Sequence, residues 1–135
     1  MNFGDKKIMD NHTKKFSIGA RIKSFRYAIK GIILFFKTQH NAWIHVVATV
    51  VSVSLGFYLK LNTTEWCFIV GVISAVIVAE MLNTAIEYLT DLVSPDFHPL
   101  AGKVKDVAAG AVFIASVAAV VIGTIIFLPK IMALL

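Results

Sequence analysis

The chain is short of the residues that build a disulfide scaffold, a disordered segment or a soluble surface. It has one cysteine, Cys67, among 135 residues. A single thiol excludes an internal disulfide framework and any cysteine-based zinc site. Cys67 sits in an apolar run, where a free thiol packs as a small hydrophobe. Three prolines and eight glycines are too few for a low-complexity or disordered chain. Charge is scarce as well. Asp, Glu, Lys and Arg make up 16% and hydrophobic residues 58%, where a soluble domain has about 25% and about 45–50%. The shift in both directions points to a membrane. The length suits one domain.

The charge that exists is unevenly placed. Nine of the thirteen Lys and Arg residues fall between positions 6 and 37: Lys6, Lys7, Lys14, Lys15, Arg21, Lys23, Arg26, Lys30 and Lys37. A basic segment serves nucleic acid or anionic lipid. The apolar remainder leaves nothing to build a nucleic-acid module, so lipid is expected and nucleic acid is not. No apolar stretch follows the first charges, which argues against a secretory signal peptide.

Residues 1–15 read as a flexible tail, and His12 within it has no assigned role. Residues 16–38 read as an amphipathic helix. Ile18, Ile22, Phe25, Ile29, Ile32, Ile33 and Phe36 recur at three- and four-residue spacing and share one face. Lys23, Arg26, Lys30 and Lys37 occupy a neighbouring face. This pattern suits a helix lying in the membrane interface; a soluble helix packed on a partner is the alternative. Three spanning helices are expected at 42–60, 66–90 and 106–128, each near the about 20 residues that a hydrocarbon core requires. A polar turn at 61–65 joins the first two, with Asn62 or Thr63 as the cap. A loop at 91–105 holds two prolines and a glycine, and Pro129 is expected to end the last helix. Ala111, Ala115, Ala119 and Gly123 lay a strip of small residues along that helix, which lets a neighbour approach closely. The excess of cations at the N-terminus places that end and the 91–105 loop in the cytoplasm.

The chemistry concentrates in "AEMLNTAIEYLTD", residues 79–91, after the uncharged run Trp66–Ala79. On a helix, Glu80, Asn83, Thr84, Glu87 and Asp91 fall within about 100° of arc. Glu87 lies about 6 Å and Glu80 about 16 Å deeper than Asp91 along the axis, at 1.5 Å per residue. An ionisable side chain at membrane depth is expensive and marks function by default. A ladder of carboxylates suits Mg²⁺, which is commonly held by one or two carboxylates plus substrate phosphates. A deep carboxylate can take the proton of a lipid hydroxyl, with Asn83 orienting either partner. His98, Lys103, Lys105 and Asp106 belong to the same membrane face, and the two lysines can hold phosphate oxygens. Two other readings stand beside this one. Glu80 can be a structural hydrogen-bond hub between helices. An ion path is also possible, although Trp66–Ala79 offers it only Ser74. His45 faces along the first span and can pair with a neighbouring helix. No G-x-x-x-x-G-K-[ST], H-R-D or D-F-G occurs, which excludes the common soluble phosphotransfer devices.

These residues carry a resemblance. "AEMLNTAIEYLTDLVSP", then His98, then "LAGKVKDVAAGAVFIA" closely resembles the signature of the prokaryotic diacylglycerol kinases, E-x-x-N-[ST]-A-I-E-x-x-x-D followed by a His-bearing loop and K-D. The likeness runs from about Arg21 to Gly123. "SFRYAIKG" and "NAWIH" resemble the subgroup that includes undecaprenol kinases.

The resemblance implies an all-α integral membrane enzyme with a surface helix and three spanning helices per subunit, assembled as a homotrimer with active sites at subunit boundaries. It implies transfer of phosphate from ATP, with Mg²⁺, to a lipid alcohol in the bacterial cytoplasmic membrane. Diacylglycerol is the expected acceptor and undecaprenol the alternative; a non-enzymatic membrane subunit or ion-path protein is the rival class. Carried over, Glu80 is the catalytic base and Glu87 a metal ligand. Asn83 supports that site, while Tyr27, Asp96, Phe97, His98, Lys105 and Asp106 sit with the nucleotide. One position departs. "FKTQHN" puts Gln39 where family members commonly carry a metal-binding Glu. An amide oxygen coordinates more weakly than a carboxylate. His40 beside it reads as an interfacial side chain.

Overall fold

The computed structural model describes residues 17–134, so the expected tail at 1–15 lies outside the described residues. The chain divides into two compact units, residues 1–34 and 35–135. All the described secondary structure is helical: α1 (Ile18–Thr38), α2 (His40–Tyr58), α3 (Thr63–Val93) and α4 (Pro99–Met132). In the first unit, the Ser17 hydroxyl accepts from the Ala20 N–H at 3.4 Å and so satisfies one free donor at the start of α1. The last turn of α1, from Phe35 onward, belongs to the second unit.

Within the second unit each junction has a local cause. Gln39 takes an extended backbone (φ −105°, ψ 112°), which separates α1 from α2. Phe35 is buried there and meets Phe36 edge-on at 5.2 Å. At the other end of α2, Lys60 adopts a left-handed conformation with φ 52°. Its N–H donates to the Phe57 carbonyl at 3.2 Å, and the Leu61 N–H reaches back to Gly56 at 3.0 Å. This pair of bonds is a Schellman motif, closed by the apolar residue just beyond the helix; Leu61 is buried accordingly. Asn62, as expected, then caps α3. Its side chain accepts from the Glu65 N–H at 3.0 Å, and the Glu65 carboxylate accepts from the Asn62 N–H at 2.7 Å. That reciprocal capping box satisfies two orphan donors at once.

α3 and α4 pack against each other as an antiparallel pair, and α2 meets α3 more sparingly. Ion pairs sit at both ends of the pair. Lys130 meets Glu65 at 3.1 Å at one end, and Lys105 meets Asp91 at 2.5 Å at the other. Between them Leu61, Ile69 and Ile126 form a buried cluster near the α2–α3 turn, with Trp66, Ile73, Ile122 and Phe127 against it.

α2, α3 and α4 are each long and apolar enough to cross a membrane, at 19, 31 and 34 residues. At about 1.5 Å per residue the last two exceed a hydrocarbon core of about 30 Å, so their end turns stand outside it. Those extra turns change the expected boundaries. The loop expected at 91–105 is only the stretch 94–98, because α3 runs on to Val93 and α4 already begins at Pro99. Pro99 opens a helix instead of breaking one, since the first helical N–H has no intrahelical partner to lose. Pro129 does not end α4, which continues to Met132. A proline this close to the end forfeits one hydrogen bond, and the next turn still closes through Ala133 N–H to the Pro129 carbonyl at 3.1 Å.

Gly56 meets the Trp66 ring so closely that an added Cβ would lie 2.8 Å from Cη2. The ring is held in turn by Phe57, with centroids 4.9 Å apart, and has little room to retreat. Gly56→Ala is expected to destabilise the protein by about 1–3 kcal/mol, the usual cost of overpacking. A lowered unfolding temperature of the detergent-solubilised variant measures it.

Candidate active site

The polar stripe of α3 turns inward. Glu80, Asn83 and Thr84 are buried, with Glu80 only 7% exposed, and Glu87 is half-buried. Asp91, at the loop end, is exposed. Helical periodicity accounts for this gradient. The stripe faces the other spans, while Leu82 and Leu89 on other faces of α3 are exposed.

Three contacts organise the stripe. Deepest is Glu80, whose Oε1 lies 3.0 Å from Nε2 of His45 on α2. Next, one turn on, the Asn83 amide donates to Glu87 Oε1 at 2.9 Å. That bond leaves Asn83 Oδ1 buried with no partner among the described residues. An orphaned buried acceptor is costly and calls for a donor or a cation. Last, at the loop, Asp91 takes Lys105. Lys105 is therefore engaged within the hairpin and does not stand free for phosphate. A further bond, from the Tyr88 hydroxyl to Thr38 Oγ1 at 2.9 Å, ties the α1–α2 junction to the turn of α3 that carries Glu87. Gln39 is the next residue after Thr38 and is half-buried.

The other expected residues are not gathered with these. His98 caps α4, its Nδ1 accepting from the Leu100 N–H at 3.2 Å. The Asp96 carbonyl accepts from the Ser94 hydroxyl at 3.2 Å, and Phe97 is 94% exposed. Asp106 is exposed. Tyr27 is exposed and belongs to the first unit. His45 pairs with a neighbouring helix as expected, but sequence reasoning does not assign it to the site. A signal existed: it is the one ionisable residue between Ala42 and Tyr58, and such a residue at membrane depth needs a partner.

An apolar groove of about 500 Å³ opens between α2, α3 and α4. His45, Ile73, Val76, Ala119 and Phe127 are among its walls, and His45 is its one ionisable lining residue. Two half-buried members of the small-residue strip, Ala119 and Gly123, line it too.

No trio of His, Cys, Asp or Glu that could hold a metal is present among the described residues. Mg²⁺ usually takes one or two protein carboxylates and completes its shell with phosphate oxygens and water. Glu87, with the orphaned Asn83 oxygen beside it, is an all-oxygen donor set of that kind.

Three apolar helices with a buried carboxylate paired to a histidine between two of them define a helical membrane protein with a polar site. The comparisons define its class. The family model for prokaryotic diacylglycerol kinase matches residues 26–127. The undecaprenol kinase of Bacillus subtilis is 38% identical over 122 residues, covering 90% of this chain and 99% of that protein. The diacylglycerol kinase of Synechocystis is 38% identical over 113 residues, covering 83% and 65%. That of Escherichia coli K12 is 29% identical over 120 residues, covering 84% and 91%. The chain belongs to the prokaryotic diacylglycerol kinase family and is a lipid kinase, which sets aside the ion-path and non-enzymatic readings.

Asn83 gives a direct test of site against fold. A leucine there keeps the branched shape and removes the unsatisfied oxygen together with the donor to Glu87, so the two effects oppose each other and Asn83→Leu should leave the unfolding temperature nearly unchanged. Kinase activity should fall at least about tenfold. Activity lost without a loss of stability marks a group retained for function.

Proposed function

We propose that the protein transfers the γ-phosphate of ATP to the primary hydroxyl of a membrane lipid, with Glu80 as general base. The observation that carries this reading is the buried Glu80 carboxylate, held by His45 beside a groove that suits a hydrocarbon chain. A lipid lying along that groove brings its headgroup hydroxyl toward Glu80. Glu80 takes the hydroxyl proton. The freed oxygen forms a bond to the γ-phosphorus, and the bond to the β–γ bridging oxygen breaks, so ADP leaves with the electron pair. Little covalent work falls to the protein in such a transfer; positioning and charge neutralisation dominate.

Glu87 and Gln39 would hold magnesium, with Asn83 fixing Glu87. Bound Mg²⁺ would neutralise phosphate charge. Asp96, Phe97, His98, Lys105, Asp106 and Tyr27 are assigned to the nucleotide by resemblance. In this reading Lys105 exchanges Asp91 for phosphate, and the exposed 96–98 segment closes on ATP. The protein is proposed to work as a homotrimer in the bacterial cytoplasmic membrane, with its N-terminus cytoplasmic and α1 in the interface. The family description favours diacylglycerol as acceptor. A second acceptor, undecaprenol, is favoured by the end-to-end likeness to the Bacillus subtilis enzyme. Both offer a primary hydroxyl at headgroup level. Purified protein given radiolabelled ATP and each lipid in turn tests the reading; no label in either lipid overturns it.

Three variants probe the roles. Glu80→Gln is expected to abolish turnover while the protein remains folded, as read by labelled lipid and thermal unfolding. Glu87→Ala is expected to raise the Mg²⁺ concentration for half-maximal activity more than the KM for lipid, and an unmoved Mg²⁺ curve would take Glu87 out of the metal site. Gln39→Glu is expected to lower the Mg²⁺ requirement several-fold. Charge-assisted contacts are roughly twice as strong as neutral ones, and water at the membrane surface screens part of the gain.

A further inference from the structure

His45 has no part in the assignments above, yet it makes the sole hydrogen bond to Glu80 among the described residues. The two side chains are 22% and 9% exposed. Nothing else ionisable lies on the face of α2 that meets α3. Two neutral residues would join the helices at less desolvation cost than a histidine and a glutamate. The pair is also placed where chemistry would need it. His45 lines the apolar groove and Glu80 does not, so whatever enters the groove meets the histidine that holds the carboxylate.

We propose that His45 is a positioning residue for the phosphoryl transfer: its Nε2–H holds Glu80 Oε1 and so presents the other carboxylate oxygen to the acceptor hydroxyl. This rests on the reading of Glu80 as the base. The direction of the bond follows from the chemistry. An ionised carboxylate only accepts hydrogen bonds, so with Glu80 ready to take a proton, Nε2 must carry the hydrogen. One oxygen is then occupied and oriented, and the second keeps a free lone pair. A glutamate has three side-chain torsions; anchoring one oxygen from a second helix removes most of that freedom. Misplacement of a reacting group by about 1 Å can cost about a hundredfold in rate. His45 thus acts on the rate through Glu80 and not by binding either substrate.

The test compares three substitutions in the full-length protein, assayed in lipid vesicles with ATP and each acceptor. A glutamine places its amide nitrogen where the histidine Nε2 lies. An asparagine ends nearer the Nδ1 position and falls short of Glu80. A leucine keeps bulk and loses the donor. His45→Gln should hold kcat within about fivefold of the parent, whereas His45→Asn and His45→Leu should lower it about 10- to 100-fold, the range for a lost hydrogen bond to a charged group. KM for ATP and for lipid should stay within about twofold, because a residue that orients the base without touching either substrate moves kcat and kcat/KM together. Should His45→Leu fail to fold, the Gln and Asn pair, both small amides, carries the comparison alone. Parental kcat in His45→Leu or His45→Asn, equal loss in Gln and Asn, or a change confined to KM overturns the proposal. Glu80→Gln, measured alongside, separates the two ideas. If it is active, the base assignment falls and takes this inference with it. If it is inactive while His45→Asn is normal, the inference alone falls.

Discussion

A carboxylate buried between membrane helices is the constraint on which the second unit depends. Glu80 is nearly inaccessible, and removing its charge from water costs several kcal/mol unless a partner compensates. The partner is His45, on a different helix. The bond therefore does two things. It makes the carboxylate tolerable, and it sets where α2 meets α3. Because α2 touches α3 sparingly elsewhere, the position of this polar contact matters more than it would in a tightly packed bundle. In lipid the surroundings are as apolar as leucine, so close packing and interhelical hydrogen bonds carry more of the specificity.

The α3–α4 pair is built differently. Two ion pairs, Glu65–Lys130 and Asp91–Lys105, bracket it at its ends. Both lie near the membrane boundaries, where each contributes little energy by itself. Their value is in register, since one antiparallel alignment satisfies both. Between them, Ala119 and Gly123 of the small-residue strip line the groove and leave the helices apart there. Asn83 and Glu87 lie on a stripe that faces inward, one and two turns from Glu80 toward the loop. His45, the partner of the deep member, lines an apolar groove, while Asp91 at the loop end of the stripe is exposed.

The orphaned Asn83 oxygen fits the same picture. A buried acceptor without a donor is a debt against stability in the free protein. Its amide nitrogen fixes Glu87, so the group cannot turn to relieve both ends at once. Natural proteins retain such local conflicts chiefly where a ligand resolves them.

Much of this was legible in the residues. The helical class, the three apolar spans, the Asn62 cap and the one-sided stripe from Glu80 to Asp91 follow from hydropathy, capping chemistry and the 3.6-residue period, all local properties of the chain. The glutamate–asparagine–glutamate spacing with its K-D partner was specific enough to indicate the family. Boundaries were less legible. Pro99 and Pro129 read as breakers, but proline is harmless at the first position of a helix and tolerable in the last turn. Which end of a long helix projects beyond the bilayer is not written in composition. That His45 would pair with a neighbouring helix was legible, but its particular partner was not. His45 lies 35 residues from Glu80, and Lys130 lies far along the chain from Glu65. Periodicity assigns a residue to a face of its own helix; only the packing of one helix on another decides which faces meet. The sequence by itself determined that a carboxylate would sit at membrane depth. The tertiary structure alone decided that a histidine would hold it, because that contact depends on helix register in space and not on spacing along the chain.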